Sequence, residues 1–348
     1  MTMKKVLIGL DKLSNPNSGF GRVSIDYANA LEDTSDFEFT YLIPSDYEGS
    51  IAKGKRTIRL NWWRRNFPFY QKEFDLIHAV HHRPEFRIRK DKKLLLTIHD
   101  LSFAYVHTKR EMRKLKRKLC RLLRQSTALA FISDFTRQDC IEKLHVPEHL
   151  MTKRIYDGVS LLKKVETAPD NLPDKKILFS IGVFSRRKNF AALLPFIELL
   201  PDDYILVLAG NNNTGYGSFV EFTIGEMGLK NRVILTGEIN EEEKSFLYHH
   251  CDAFLFPSLV EGFGLPLIEA MQTGKPVFAS KKSSLAELGK DYVYYWEDMS
   301  PEAMKAVFEK GMADFSPEKA KAEQEYALSF TWQENVKQYL AYYKEILS

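Results

Sequence analysis

The sequence predicts an α/β protein of two tandem doubly wound domains, and three observations lead there. The chain has 348 residues, more than one hydrophobic core ordinarily serves. Short continuous Leu, Ile and Val runs alternate with stretches of helical periodicity, the pattern of parallel strands covered on both faces. The alternation stops once, in a proline-bearing stretch near the middle, and then restarts.

The first ten residues join a basic end to an apolar run. The run meets Asp11 after about five residues, too short for the core of a signal peptide, and reads as a buried strand over 6–10. A helix is expected through 23–31, followed by strands at 39–43, 75–79, 94–98 and 129–132. Residues 160–175 hold two prolines, mixed charge and no periodicity, and separate a domain at 1–165 from one at 166–330. Strands resume at 177–181, 204–208, 232–235, 253–256 and 276–279. Trp332, Val336, Leu340, Tyr343 and Leu347 then repeat at helical spacing, a closing helix over 331–348. In folds of this type ligands sit beyond the carboxyl ends of the strands.

Composition excludes several classes. Hydrophobic residues make up 44% and charged residues 28%, without low-complexity tracts, as in a globular protein. No apolar stretch approaches the ~18 residues of a spanning helix. Cys120, Cys140 and Cys251 are odd in number and widely spaced, which argues against a disulfide framework or zinc site and for a reducing, cytoplasmic setting. The formal charge of +4 hides an asymmetry. Residues 1–165 carry 32 Lys/Arg against 19 Asp/Glu, whereas 166–348 carry 18 against 27, so the halves should meet different partners.

The segment 251–280 carries the strongest chemical signal. A strand ends at Pro257-Ser258, and a loop with Gly262 and Gly264 frees the backbone to approach a ligand. Pro266 suits the first turn of a helix over 265–273, Gly274 its end, and Pro276 the next strand. A helix N-terminus beside a glycine-bearing loop is an anion site suited to a diphosphate. Glu261 lies in the loop and Glu269 inside the helix. The first is placed to face a transferred group, the second to accept bonds from ligand hydroxyls. Spacing alone is equally compatible with a plain strand–turn–helix bearing surface glutamates.

The wording is more specific than the spacing. Glu261-Gly-Phe-Gly-Leu-Pro-Leu-Ile-Glu269-Ala-Met resembles the E-x7-E signature of glycosyltransferase family 4. Phe256-Pro-Ser, Gly274-Lys-Pro-Val and Ser284-Leu-Ala-Glu resemble that motif's surroundings in order. The resemblance implies the GT-B fold, two Rossmann-like domains with the closing helix crossing back to the first. It also implies a retaining transfer from a nucleotide-diphosphate sugar without metal or other cofactor, in keeping with the lack of any D-x-D triplet.

Further stretches extend the resemblance along most of the chain. Gly182-Val-Phe-Ser-Arg-Arg-Lys-Asn looks like the family's cationic phosphate clamp, a G-x-x-x-x-R-K-N variant with Val183 where arginine is commoner. Its role falls on Arg187 and Lys188, which would neutralise the leaving diphosphate and so count with Glu261 and His99 as catalytic candidates. The same reading puts Gly182, Glu238, Ile239, Gly262, Phe263, Gly264, Leu265 and Glu269 around the donor, with Glu269 on the ribose and the main chain of Glu238-Ile239 on the base. Asp157-Gly-Val stands where the family usually has Asn-Gly-Val. Asn17-Ser-Gly19-Phe-Gly21-Arg is a near miss for a dinucleotide fingerprint and resembles the family loop over the donor phosphates. Thr97-Ile-His99-Asp100 looks like the family's T-x-H-D, in which His99 would contact the transferred sugar and Asp100 orient it on the acceptor side.

His78, His81 and His82 invite a zinc reading. A strand-end position without partnering cysteines argues instead for acceptor-binding or structural residues. The helix expected at 107–125 sets Met112, Leu115, Leu119 and Leu122 against nine Lys/Arg, and a second basic group at 53–65 interleaves with Trp62 and Trp63. Together with Phe67 and Phe69 these suggest attraction to an anionic membrane surface and a lipid-linked or glycan acceptor. No helix-turn-helix, zinc finger or RNP-like motif supports nucleic acid. The expected activity is hexose transfer, with mannose from GDP-mannose favoured by the R-K-N variant. The rivals are a sugar-nucleotide epimerase on the same fold and a non-catalytic nucleic-acid or lipid binder.

Overall fold

Apolar runs without a polar face can only be buried between helices, and the chain arranges them so twice. The computed structural model describes residues 3–16, 18–31, 34–106, 108–167 and 172–348; Asn17 and His107, read above as parts of a loop and a helix start, lie outside them. Two units are present, Met1–Ser160 with Phe330–Ser348, and Leu161–Ser329. The division thus falls after Ser160, early in the proline-bearing stretch, rather than at its expected place after residue 165.

The first unit runs β1 (Lys4–Gly9), α1 (Gly19–Ala30), β2 (Phe37–Pro44), β3 (Thr57–Leu60), α2 (Trp62–Asn66) and β4 (Leu76–Ala79). It continues through β5 (Lys93–Ile98), α3 (Phe103–Val106), α4 (Lys109–Gln125), β6 (Ala128–Phe131), α5 (Asp134–Leu144) and β7 (Met151–Arg154). Its sheet has the order β3-β2-β1-β4-β5-β6-β7, every pairing parallel. The second unit contains β8 (Lys176–Ile181), α6 (Leu193–Glu198), β9 (Tyr204–Ala209), α7 (Gly215–Glu226), β10 (Val233–Gly237), α8 (Glu241–His250) and β11 (Ala253–Phe256). It closes with α9 (Leu265–Gln272), β12 (Val277–Ser280), α10 (Ser284–Gly289), β13 (Tyr294–Trp296), α11 (Pro301–Asp314) and α12 (Pro317–Ala327). Its parallel sheet has the order β10-β9-β8-β11-β12-β13. The last helix, α13 (Trp332–Leu347), belongs to the first unit.

The sequence does not predict β3, β7 or β13. Each is an edge strand, and the first two, TIRL and MTKR, are polar and half-exposed because only one neighbour covers them. Helix α1 starts at Gly19 rather than near residue 23, because Ser18 accepts the Gly21 N–H at 3.1 Å as an N-cap. The glycine stretch is therefore the first turn of a helix. Helix α4 opens on a capping box of Thr108 and Glu111, buries Leu119 and Leu123 against the sheet, and turns its cations outward.

Helix α13 buries Trp332, Asn335, Val336, Tyr339, Tyr342, Tyr343 and Ile346. Leu340 and Leu347, expected in the stripe, sit half-buried at its margin. Tyrosines pack there because the sheet supplies polar partners. Tyr343 OH lies 2.6 Å from both His78 Nδ1 and Tyr27 OH. Tyr339 OH lies 3.0 Å from Thr97 Oγ1, and Asn335 Nδ2 donates to the Tyr156 carbonyl at 2.7 Å. His78 is buried and neutral, its pKa pushed down to about 3 by burial. It holds α13 in place through Tyr343 and lines a small cavity with Thr97, His99 and Asp157.

Candidate active site

In the second unit the strand order reverses at β8, which lies between β9 and β11. A crevice opens at such a reversal beyond the carboxyl ends of the strands. The residues following β8 and β11 meet there. The turn after β8 brings Arg187 and Lys188 to the loop after β11, and the Leu259 N–H donates to the Arg187 carbonyl at 2.8 Å. Lys188 Nζ lies 2.9 Å from Glu261 Oε1, while Arg187 Nη1 donates to Glu261 Oε2 at 2.6 Å and to the Val260 carbonyl at 2.9 Å.

Lys188 is 6% exposed and Glu261 7%, so the pair is largely dry. Burial alone would raise the Glu261 pKa, but Lys188 and Arg187 outweigh it and hold the carboxyl below its ordinary range. Burial draws the Lys188 pKa down, with Arg187 adding to it and Glu261 opposing. Two cations and one carboxylate leave a net positive centre.

The backbone around the triad depends on glycine. Gly182 has φ of 153°, and a Cβ there would stand 2.7 Å from Lys188 Cε, so glycine gives the lysine stem its path. Gly210, at the end of β9, has φ of 118°, and a Cβ on it would lie 2.2 Å from the Gly182 carbonyl oxygen. The sequence reading missed Gly210; its place directly after a strand, in Ala209-Gly-Asn, is the one signal it gave. Gly237 ends β10 with φ of 71°, Glu238 accepts from Asn211 Nδ2 at 3.0 Å, and Ile239 is half-buried.

Helix α9 begins after Gly264, whose φ is 114°, with no side chain capping its N-terminus. Ser283 and Ser284 fix the preceding loop. Ser283 Oγ accepts the Glu261 N–H at 2.8 Å, and Ser284 Oγ donates to the Glu261 and Phe263 carbonyls at 2.9 and 2.6 Å. Gly262 and Phe263 are buried in it, and Leu265 is half-buried. Glu269 acts on Lys188 through its charge and makes its own bonds to α8. It accepts from Lys244 Nζ at 3.1 Å and Tyr248 OH at 2.9 Å, two partners on α8 that the sequence did not single out. Arg186 is exposed and forms no ion pair or hydrogen bond among the described residues.

In the first unit the order reverses at β1, between β2 and β4. Gly19 is exposed with open space where a Cβ would stand, whereas a Cβ at Gly21 would lie 2.1 Å from the Asn15 carbonyl oxygen. Gly21 serves the turn, and Gly19 leaves the backbone approachable. His99, after β5, is 4% exposed and engaged within the protein. Its Nε2 lies 2.8 Å from the Val80 carbonyl and its Nδ1 3.6 Å from Asp157 Oδ2. Asp100 accepts the Ser102 N–H at 2.8 Å. His81 and His82 stack on each other with centroids 4.4 Å apart, both made neutral by burial. Among the described residues, no group of three or more His, Cys, Asp or Glu gathers as a metal site.

Residues 164–329 match the family model Glycosyl transferases group 1, which takes in nearly the whole second unit. O-antigen chain mannosyltransferase B of Escherichia coli is 26% identical over 322 residues, 82% of this chain and 84% of that protein. O-antigen chain mannosyltransferase RfbU of Salmonella typhimurium is 21% identical over 299 residues, 79% of this chain and 82% of its own. The serotype-specific mannosyltransferase WbdA of Escherichia coli is 35% identical over 154 residues, 41% of this chain and 18% of that one. Among solved structures, sucrose-phosphate synthase from Thermosynechococcus elongatus superposes with a TM-score of 0.79 at 20% identity, covering 99% of both chains. Anabaena HepE in complex with UDP-glucose gives 0.77 at 18%, covering 98% of this chain and 99% of its own. The fold is GT-B.

Proposed function

We propose that this chain, a glycosyltransferase whose second unit matches the group 1 family, moves a hexose from a nucleotide-diphosphate sugar to a hydroxyl of a glycan or lipid-linked saccharide. One observation carries the reading: Glu261 sits between Lys188 and Arg187 at the crevice of the second unit, beside the uncapped N-terminus of α9. Departure of a nucleoside diphosphate builds negative charge, and fixed cations with a helix N-terminus stabilise such charge without reorganising. Arg187 and Lys188 would take the diphosphate, with Glu261 near the sugar and Glu269 on the ribose. Glu238 and Ile239 would offer main-chain atoms to the base. His99 and Asp100 of the first unit would serve the sugar and the acceptor.

Within the resemblance to family 4, the transfer proceeds with retention and without a metal. The donor we favour is GDP-mannose, for use in cell-surface polysaccharide or glycolipid synthesis. The R-K-N variant and the mannosyltransferase names of the E. coli and Salmonella relatives support this choice. A thermal-shift panel of nucleotide sugars tests it, since a ligand at 100 times its Kd stabilises by about 2.7 kcal/mol. GDP-mannose is expected to give the largest shift. A panel without any shift refutes a nucleotide-sugar site, and a larger shift with UDP-glucose refutes the donor. Undiminished transfer in EDTA and an α-linked product by NMR are expected; an inverted product removes retention.

We further place the enzyme peripherally on the cytoplasmic face of a membrane. Helix α4 carries eight exposed Lys/Arg from Arg110 to Arg124, none of them in an ion pair among the described residues. Trp62 and Trp63 are 62% and 65% exposed, with Arg64 and Arg65 on the same short helix. No helix among the described residues is long and apolar enough to cross a membrane.

A further inference from the structure

In the second unit the loop that carries Glu261 is fastened along its length by the chain that ends β12 and follows it. Ser280 Oγ donates to the Ser258 carbonyl, and Ser284 Oγ donates to the carbonyls of Glu261 and Phe263. Ser283 Oγ accepts the Glu261 N–H at 2.8 Å. Neither Ser280 nor Ser284 has a positive φ, whereas Ser283 stands at φ of 53° and ψ of −139°. The Leu285 N–H donates to the Lys282 carbonyl at 3.2 Å and closes a turn in which Ser283 is the first central residue. That place in a turn of this hand favours glycine, because a Cβ there crowds the backbone.

A serine at such angles costs free energy and persists only where its surroundings impose it. Glycine would fit the turn, but it would leave the Glu261 N–H without this acceptor. Serine supplies one: its hydroxyl hydrogen goes to the Lys282 carbonyl at 2.7 Å, and its lone pairs remain for the Glu261 N–H. The Glu261 nitrogen is bonded directly to the Cα whose carboxylate Lys188 and Arg187 hold at 2.9 and 2.6 Å. Glu261 is almost fully buried, so its side chain has little room to correct a backbone that rotates.

We infer that Ser283 is a positioning residue for the transfer: it accepts a strained backbone in order to hold the Glu261 main chain, and through it the carboxylate between Lys188 and Arg187. The inference rests on the proposed role of Glu261 beside the transferred sugar.

The test compares Ser283→Gly with Ser283→Ala in the full chain by transfer kinetics, Tm and amide hydrogen exchange. Both variants lose the hydroxyl, but only glycine relieves the turn, so Tm is expected to be higher in Ser283→Gly than in Ser283→Ala. In both alike kcat is expected to fall about 10–100-fold with the donor KM little changed, as for a displaced reacting group. A kcat that recovers in Ser283→Gly together with Tm makes the serine merely structural and overturns the inference, as does a wild-type kcat in either variant. Lys290→Gly is the control, since it relaxes a residue at φ of 45° and ψ of −132° whose amine lies over the Tyr326 ring. It should keep the wild-type kcat; a fall like that of Ser283→Gly overturns the inference, because relief of strain would then suffice. Read without substrate, the Glu261 N–H should be protected in the wild type and exchange about tenfold faster in both Ser283 variants. Fast exchange in the wild type overturns the inference even if neither variant folds. Failure of the Glu261 reading would appear separately, as wild-type transfer in Glu261→Ala with the exchange result unchanged.

Discussion

Glu261 and Lys188 are adjacent in space because two strand-end turns meet, and each residue does a job the other makes affordable. Glu261→Ala leaves Lys188 buried without its carboxylate, and Lys188→Ala removes a cation from the expected diphosphate site. Removing one such electrostatic group typically lowers kcat about 10²–10³-fold. Both variants are expected to fall in that range in a transfer or donor-hydrolysis assay, and wild-type rates in both refute the assignment. Gly182→Ala tests the geometry independently, because the added methyl meets the Lys188 stem at a backbone angle that side chains rarely adopt. It should cost activity as Lys188→Ala does while the chemistry of the triad stays intact; full activity means the lysine's path is not fixed by that glycine. The motif wording made Glu261, Arg187 and Lys188 legible in the sequence. Their mutual contact was not, since Arg187 and Glu261 stand 74 residues apart. Nor was the tether of Glu269 to Lys244 and Tyr248, which depends on how α8 lies against α9.

At the scale of elements, α4 and α13 show opposite uses of a helix. Helix α4 buries a narrow apolar stripe and leaves its cations to solvent, worth roughly 1 kcal/mol each near an anionic surface and less as salt rises. Co-sedimentation with vesicles containing phosphatidylserine at low salt is expected, lost at high salt and on changing Lys114, Arg117 and Arg121 to glutamine. Binding to DNA in place of vesicles would assign that face to nucleic acid. Helix α13 is held by buried hydroxyls instead. Tyr343→Phe leaves His78 Nδ1 and Tyr27 OH without their 2.6 Å partner and is expected to destabilise the first unit by about 1–3 kcal/mol in urea unfolding. An unchanged midpoint would mean the network contributes nothing. The sequence shows that a helix stands at each place. Which tyrosines face inward followed from the polar groups on the sheet, which no periodicity of the helix itself contains.

At the scale of the whole molecule, stability should depend on pH through a residue remote from the proposed chemistry. Glu323 on α12 is buried, neither carboxyl oxygen has a hydrogen-bond partner among the described residues, and burial pushes its pKa up to about 9. The folded chain therefore keeps a proton that the unfolded chain releases near 4.5, and stability falls as pH rises from about 4.5 to 9. Glu323→Gln should flatten that slope and raise Tm at pH 8. A variant whose Tm follows the wild type across that range would show that Glu323 is not held protonated.

The sequence by itself determined the punctuation of both units. The central strands, the glycine loop before α9, the apolar stripe of α4 and the opposed charges of the two halves are local or compositional properties. Motif wording added the family resemblance, and so the expectation of GT-B. Tertiary structure decided the rest. The edge strands β3, β7 and β13 exist because a neighbour offers them hydrogen bonds, not because their residues are apolar. Gly210 matters because the Gly182 carbonyl lies against it, and Asp157 because His99 does. Such contacts join residues far apart in the chain, and only folding, which sets strand order and helix rotation, brings them within reach of one another.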